Sequence, residues 1–470
     1  MEITKHRLNR SLRLRDLVPM QIVLIVWLGW TGFAAKQGRS QIVLWLLAIL
    51  LFYLPLAAVV MKLARAMPME GGVYQWVKNG ISPFAGYMAA WNFTLYAITA
   101  FAVVGSILAD GFGQAAGPST SWMLRSRWFA FGLTALACAI AYYFNVHGLR
   151  FAKWWSNIGS MLTVATSVAM LFLLIKAIAV GAAFVHGALS LAWPDFSIVT
   201  LSVFARMATG ALSGFDSAAV FAEECRKPEN DVARSVLVAA PLIALMYMLG
   251  TSTVLAYIEP AKVDVSAAVP QVMQAGFGAS LLGKAIALAA ASAFNIAYTA
   301  AMVITTGVTS RLPMVAGWDG LLPKWWSELH PKFRTPSKAV AAVAGSMLVL
   351  GGLSLVGADN QEAVQVGASV GIGSICIMYM LLFAVVLFGF RERAWRPGAA
   401  IRLGAFAAFS VAFVSLVFQI IPLGAVASRG LFALKVAAAI AALNLLGAFL
   451  YWRGSRRAES AAMHAADLAD

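Results

Sequence analysis

Charged residues are scarce in this sequence. Asp, Glu, Lys and Arg make up only 12% of its 470 residues, whereas a soluble domain carries about 25%. Strand-like alternation of polar and apolar residues is also missing, and long apolar runs recur instead. Only helices and closed barrels satisfy the backbone inside a bilayer, and these runs are too long and too uniformly apolar for barrel strands. The sequence therefore predicts an all-α integral membrane protein.

Cysteine and histidine are rare as well. The three cysteines and five histidines are scattered along the chain without a C-x-x-C pair or a metal-ligand spacing, which argues against a disulfide framework and a zinc site. A membrane-embedded enzyme needs clustered nucleophiles, acids or metal ligands, and the sequence shows none. We therefore expect a protein that is not an enzyme and has no metal site, no cofactor and no catalytic residue.

Apolar runs of near twenty residues predict about twelve membrane spans. When both termini and every second loop are placed on one side, most of the 35 Lys and Arg residues fall there, as the positive-inside rule requires. We expect both termini in the cytoplasm and a multi-pass protein of the cell inner (plasma) membrane. This distribution accounts for the net charge of +15 and argues against nucleic-acid binding. The approximate span limits are 17–36, 41–63, 83–110, 128–146, 154–180, 198–222, 235–258, 282–309, 338–357, 364–390, 400–422 and 430–453.

The sixth span is interrupted midway. Gly210 is followed by Ser213, Gly214, Phe215 and Asp216. Glycine costs roughly 1 kcal/mol of helix propensity relative to alanine. A carboxylate at mid-bilayer depth costs about 2.5–3.5 kcal/mol on insertion scales, and such residues usually face a cavity. The sequence therefore predicts a broken helix whose unwound centre lines a binding site, as in secondary transporters.

The first span holds a similar cluster, Gly29, Trp30, Thr31 and Gly32. Small residues also let membrane helices pack closely, so the cluster taken alone favours helix packing. Together with the interruption of the sixth span, it indicates a second unwound segment.

Polar groups also mark the third span and the loop after the second. Tyr96 lies among several polar residues of the third span, and these serve either helix packing or the transport path. In the loop, Val73, Tyr74, Trp76 and Val77 give one apolar face. This pattern predicts a short helix against the cytoplasmic mouth. The eleventh and twelfth spans carry few polar groups and are expected to be peripheral or to mediate oligomer contacts.

Three motifs together resemble signatures of the amino acid–polyamine–organocation superfamily. Residues 68–74, PMEGGVY, are similar to P-x-x-G-G-x-Y and contain Pro68, Glu70, Gly71, Gly72 and Tyr74. Residues 213–216 and 223–228, SGFD and EECRKP, resemble G-[FY]-[ED] followed by E-x-x-x-x-P, and include Glu224. Residues 310–323, from SR to DGLLP, are similar to R-x(7)-D-G-x-x-P. The likeness extends over nearly the whole chain.

The resemblance implies about twelve transmembrane helices with a five-plus-five inverted repeat. Residues 1–16 would form a cytoplasmic tail, 17–180 the first repeat and 198–390 the second. Residues 400–453 would form two peripheral helices, and 454–470 a second cytoplasmic tail. The first and sixth helices would be discontinuous near the midplane, and substrate would be reached by alternating access.

The resemblance also implies roles for the interrupted segments. Gly29 to Gly32, with Trp30 and Thr31 between them, would hold a substrate carboxylate. Gly210, Ser213, Gly214 and Phe215 would meet an ammonium group. Asp216 would carry a coupling proton or organise the unwound segment.

This sequence departs from the family pattern at two positions. Bulky Trp30 separates the glycines of the first span, which would narrow the pocket. Some proton-coupled members carry a lysine inside the fifth helix, and by spacing that position falls near Thr166 in this sequence. Exchange, proton coupling through Asp216 and a sodium or other cation site all stay open.

The expected function is a secondary active transporter, a permease or exchanger of amino acids, embedded in the lipid bilayer as a monomer or homodimer. A polyamine or amine transporter, or an amino acid antiporter of the same fold, is the alternative.

Overall fold

The computed structural model describes residues 12–116, 122–123, 126–221, 224–265, 267–278, 280–353, 360–389, 397–422, 426 and 428–467. Within these ranges the protein is helical and contains no β-sheet. Seventeen helices in chain order define the architecture: α1 Leu14–Ile25, α2 Gly29–Ala35, α3 Gly38–Ala66, α4 Val73–Gly80, α5 Pro83–Ala102, α6 Val104–Ala116, α7 Arg127–Val146, α8 Leu149–Ala179, α9 Ile198–Arg206, α10 Phe215–Val220, α11 Pro228–Tyr257, α12 Ala268–Phe277, α13 Leu281–Trp318, α14 Ser337–Leu353, α15 Asn360–Phe388, α16 Ala399–Phe418 and α17 Arg429–Asp467.

Most of these helices are long and apolar enough to cross a membrane. In the described part of the chain, ten segments meet this standard, and α1 with α2 forms an eleventh as a bent pair. The shorter apolar helix α14 coincides with the predicted ninth span. The protein is therefore an all-helical, multi-pass membrane protein, as predicted. The count of twelve spans, which includes α14, and the inverted repeat stay predictions.

The first and sixth spans are both interrupted. Helices α1 and α2 meet at an angle of 46° across residues 26–28. In the sixth span, α9 continues into a π-helical segment, Met207–Ala211, before residues 212–214 lead into α10. Gly214 has a φ of +126°, which L side chains rarely adopt, so this turn needs glycine.

Two helical segments differ from the expectations. Helix α13 runs to Trp318, nine residues past the predicted limit of the eighth span at 309. Its extension is held because Arg311, Leu312 and Met314 are buried against the bundle. Helix α12 lies between the seventh and eighth spans and was not predicted, since its ten residues are too few for a span.

The short helix predicted after the second span is present as α4. Its buried residues are Val73, Tyr74, Trp76 and Val77, the apolar face that the sequence indicated. It packs on α5 and α15. Leu12, where the described chain begins, and the end of α17 lie at this same face of the bundle. We call this the terminal face and the other end of the bundle the opposite face.

Candidate functional site

A cavity of about 1090 Å³ lies between the first, third, sixth and eighth spans. Trp27, Trp30 and Tyr96 line its inner part, and Asp110 and Asp264 line it near the opposite face. Its volume lies slightly above the usual range of small-molecule sites, about 300–1,000 Å³. The cavity therefore reaches from the two helix breaks toward the opposite face.

The break in the first span exposes main-chain groups to this cavity. The amide of Val26 still bonds to Ile22 O at 2.8 Å, and the amide of Trp27 donates to the hydroxyl of Tyr247 at 3.1 Å. Among the described residues, the amides of Leu28 and Gly29 have no hydrogen-bond partner. They stand at the N-terminal end of α2, where free N–H groups and the helix dipole favour negative charge.

The other side of the same break offers acceptors. Within the described chain, the carbonyl groups of Val23 and Leu24, at the C-terminal end of α1, accept no hydrogen bond. Both residues line the cavity. The C-terminal end of a helix carries partial negative charge, so these oxygens suit an ammonium group. Donors and acceptors left unused by the fold therefore lie on the two sides of one interruption.

Aromatic rings form much of the cavity wall. Trp27 meets Trp30 edge to face with ring centroids 5.8 Å apart, and the centroid of Tyr298 lies 5.9 Å from that of Trp27. Trp30 covers Gly210, where an added Cβ would stand 2.6 Å from the indole. Trp30 therefore narrows the cavity, as the sequence predicts, and it fits because residue 210 has no side chain.

The break in the sixth span is closed by a tyrosine from α15. The hydroxyl of Tyr379 accepts a bond from the amide of Gly214 at 3.0 Å and donates to Oδ1 of Asp216 at 2.9 Å. Asp216 is fully buried, and its Oδ2 has no hydrogen-bond partner in the part of the chain that the structure describes. A buried carboxylate oxygen without a partner is costly, so a proton or a cation would stabilise this site.

The structure brings only some of the predicted substrate residues onto the cavity. Trp30, Tyr96 and Gly210 line it. Ser213 lies between the third and tenth spans, where its hydroxyl interacts with Tyr96 and Tyr379.

The remaining predicted residues pack within the protein. A Cβ on Gly32 would stand 2.8 Å from Ala268 Cβ, and Thr31 donates its hydroxyl to Leu28 O at 2.6 Å. The ring of Phe215 packs on Tyr53, with centroids 4.8 Å apart. For Gly32, helix packing is therefore the role that the contacts support. Gly29 begins α2, and its amide has no hydrogen-bond partner in the described part of the chain.

Sequence reasoning missed Trp27 and Tyr379. Trp27 lies two residues before the glycine cluster. Its position beside the predicted break could have indicated that it lines the cavity. Tyr379 is one of a few scattered polar residues in an apolar span, and no local pattern connects it to Asp216, 163 positions away.

The three sequence motifs meet at the terminal face. Arg311 from α13 lies 2.6 Å from Oε1 of Glu224 and 3.6 Å from Oε1 of Glu70. Its side chain is only 4% exposed, and its guanidinium stacks on Phe221 at 4.5 Å and donates to Gly307 O at 2.8 Å. A buried arginine between two carboxylates joins the second, sixth and eighth spans, and we call these three residues the ion cluster.

The glycine pair of the first motif allows the close packing around this cluster. Gly71 and Gly72 have φ values of +85° and +36°, and the amide of Gly71 bonds to Val220 O at 3.3 Å. A Cβ on Gly72 would stand 2.9 Å from the carbonyl carbon of Ala219. Pro68 precedes this turn. Larger residues would push the loop away from the end of α10.

A second set of bonds closes the same face. Tyr74 donates its hydroxyl to Asp319, which also accepts from Lys78 at 2.6 Å. Burial and the neighbouring carboxylate of Asp319 raise the pKa of Tyr74 above its usual range. Asp16 and Lys153 form a further pair at 3.5 Å. The terminal face is thus held by charged groups, while the cavity extends toward the opposite face.

Comparison with known proteins shows the family to which the chain belongs. The sequence profile described as "amino acid permease" matches residues 20–443. An uncharacterised transporter of Legionella pneumophila is 22% identical over 81% of each chain. The low-affinity putrescine importer PlaP of Escherichia coli is 25% identical over 71% of this chain and 70% of its own. The aspartate/glutamate permease AcaP of Lactococcus lactis is 24% identical over 46% of each chain. Like these proteins, the chain is a transporter and not an enzyme, and it belongs to the amino acid permease family.

Proposed function

We propose that this protein is a secondary active transporter that moves amino acids across the cell inner (plasma) membrane by alternating access. The observation that carries the proposal is the break in the first span. Val23 and Leu24, with free carbonyl groups, and Leu28, with a free amide, line one cavity, and the free amide of Gly29 follows at the start of α2. Partial charges of opposite sign on one short segment suit the ammonium and carboxylate groups of a zwitterion.

In this proposal, the terminal face is cytoplasmic and the cavity opens to the outside. The distribution of Lys and Arg supports this orientation. Inward opening then requires the ion cluster of Glu70, Glu224 and Arg311 to separate. Asp216 lies between the cavity and that cluster, and it couples transport by taking up a proton or by binding a sodium ion.

An amine substrate is the second candidate. Asp110 near the mouth would attract a cation, although Lys36 and Arg206 also line the cavity. The rings of Trp27 and Tyr298 can bind a cation through their faces. The relative PlaP is a putrescine importer. An amine without a carboxylate would leave the amides of Leu28 and Gly29 unused, which favours the amino acid.

Two measurements test the proposal. Thermal-shift screening of the purified protein against the twenty amino acids and common amines identifies the ligand, and uptake of the labelled compound into proteoliposomes establishes transport. We expect stabilisation and uptake with at least one amino acid. If only putrescine stabilised the protein and was taken up, the amine would be the favoured substrate. If neither amino acids nor amines were taken up or exchanged, the proposal would be wrong.

A further inference from the structure

A second cavity, of about 930 Å³, lies on the outside of the helix bundle between α5, α14, α15 and α17. It does not depend on the proposed substrate. Three of these helices lie in segments that are long and apolar enough to span the membrane, so the cavity lies at bilayer depth. Its walls are largely aliphatic: Leu95, Ile98, Val349, Leu350, Val370 and Leu443. We call it the lateral groove.

Glycine residues create the space in the lateral groove. A Cβ on Gly345 would meet no atom within 4 Å, and one on Gly367 would only reach Thr99 O at 4.0 Å. Elsewhere the helices of this bundle use glycine for close contact, as at Gly371, where an added Cβ would stand 2.5 Å from Thr99 Oγ1. Gly345 and Gly367 therefore leave a recess that no other described side chain fills.

The rim of the groove faces the membrane. Val349 is 63% and Leu353 is 62% exposed, as expected for side chains in contact with hydrocarbon. An unfilled recess forfeits the dispersion contacts of its lining atoms. Hydrocarbon chains are the material available at this depth, so an acyl chain is the occupant whose chemistry matches the walls.

One end of the groove is charged. Lys435 and Glu362 form an ion pair at 2.7 Å, with side-chain exposures of 44% and 15%. Lys435 is the more exposed partner, and ion pairs near the surface contribute little stability, about 0–1 kcal/mol, so Lys435 can bind another charge at small cost. A phosphate would meet Lys435, and an ammonium would meet Glu362.

We propose that the lateral groove is a binding site for one membrane phospholipid, with an acyl chain along the aliphatic walls and a zwitterionic headgroup at Lys435 and Glu362. Charge complementarity at the polar end and the open space at Gly345 support this occupant over a second copy of the protein.

The bound chain would touch the back of the substrate cavity. Thr99 and Val103 line both cavities. Val103 lies between α5 and α6, with dihedral angles of −101° and 14°, so the third span separates the two cavities. Thr99 also bonds to Tyr96 O at 3.1 Å. Occupancy of the groove thus supports the segment that presents Tyr96 to the substrate.

Photolabelling with phosphatidylethanolamine that carries a diazirine on one acyl chain tests the site. The labelled residues are mapped by mass spectrometry after reconstitution of the full chain. We expect adducts on the groove walls in the wild type and their loss in Gly345→Phe, which fills the recess. Gly132→Phe is the matched control, because Gly132 is exposed on another helix and a Cβ there also meets nothing within 4 Å.

Adducts that persist elsewhere on the lipid-facing surface show that Gly345→Phe is still folded. Ala439→Phe is a second filling variant, because it places a ring in the groove from α17. Equal labelling of the walls in the wild type and both filling variants would overturn the proposal. A cross-link between two copies across this face would also overturn it. Lys435→Gln should reduce labelling by the phospholipid but not labelling by a diacylglycerol with the same acyl chain. If the phospholipid labelled Lys435→Gln and the wild type equally, Lys435 would not bind the headgroup.

Discussion

The two ends of the path through this protein are held by different kinds of interaction. Toward the opposite face, the cavity is lined by aromatic rings and by main-chain groups of residues 23–29 that the fold leaves unused. At the terminal face, Arg311 and its two carboxylate neighbours are buried and bonded. Unused dipoles can bind a ligand at small reorganisation cost, whereas ion pairs can separate and form again. The first arrangement suits recognition and the second suits closure.

The largest expected effect is on recognition. Gly214→Leu should abolish ligand binding, because the backbone at φ +126° disfavours a side chain and a Cβ would stand 2.9 Å from Ile25 Cγ1. Ile25 ends α1, so the change displaces both breaks at once. Binding of the ligand found by thermal shift is measured by calorimetry, with Gly132→Leu as the control at an open glycine. Unchanged affinity in Gly214→Leu would place the site elsewhere.

The next effect concerns closure. Arg311→Ala leaves two buried carboxylates without their cation, and removal of one partner of a buried pair costs about 3–5 kcal/mol. The midpoint temperature of thermal unfolding should therefore fall in Arg311→Ala. Lys338→Ala, which removes an exposed partner of Glu328, should cost no more than about 1 kcal/mol.

Cys225 reports whether the terminal face has opened. It is fully buried, and burial, together with nearby carboxylates, raises the pKa of its thiol, so the wild type should react slowly with maleimide. In a background with Cys138→Ala and Cys376→Ala, Arg311→Ala should accelerate labelling of Cys225. Equal labelling rates would show that the ion cluster does not keep this face closed.

Asp216 lies between the two ends, and its variants should have an intermediate effect. Asp216→Asn keeps an oxygen that can accept from Tyr379, so folding should persist. We expect transport to slow by about tenfold, equivalent to roughly 1.4 kcal/mol, or to lose its dependence on pH. Tyr379→Phe should slow transport while retaining the pH dependence, because the carboxyl group still titrates. The measurement is uptake by each variant over a range of pH. If Asp216→Asn took up substrate as fast as the wild type at every pH, Asp216 would have no role in the mechanism.

At Tyr74 we expect a smaller loss of stability than at Arg311. Tyr74→Phe removes a charge-assisted bond to Asp319 and should cost about 1.5 kcal/mol. Because the pKa of Tyr74 is raised on folding, its contribution is complete below the ordinary tyrosine pKa of about 10 and is lost as pH rises through the folded value. Denaturant unfolding at neutral and alkaline pH tests this. Tyr142→Phe, at an exposed tyrosine, should change neither measurement.

The sequence predicted the helical class, the positions of the spans and the two interruptions, because hydropathy and glycine clusters are local signals. It placed the first unwound segment at Gly29–Gly32, whereas the break lies at residues 26–28 and the glycines begin α2. Glycine serves both breaks and close packing, and Gly32 packs against Ala268. Sequence alone does not distinguish these uses.

Long-range partners were the harder part. Glu70, Glu224 and Arg311 each belong to a separate motif, and no spacing rule connects them. The contacts of the eleventh span were not predicted either. The guanidinium of Arg206, in the sixth span, donates to Ile421 O, just beyond the end of α16, at 2.5 Å. Ser415 also lies 2.7 Å from Thr209. Such contacts depend on how the helices assemble, which the pattern of one helix does not contain.

The burial of Arg311 has a consequence for how the protein responds to ionic strength. Salt screens exposed charges over about 8 Å at 0.15 M, but buried pairs are screened much less. With the arginine only 4% exposed, added salt should scarcely weaken the closed state. Once the three groups are hydrated, the same salt would screen their attraction and slow reclosure, so ionic strength inside a vesicle should affect the return step of the cycle more than the forward one.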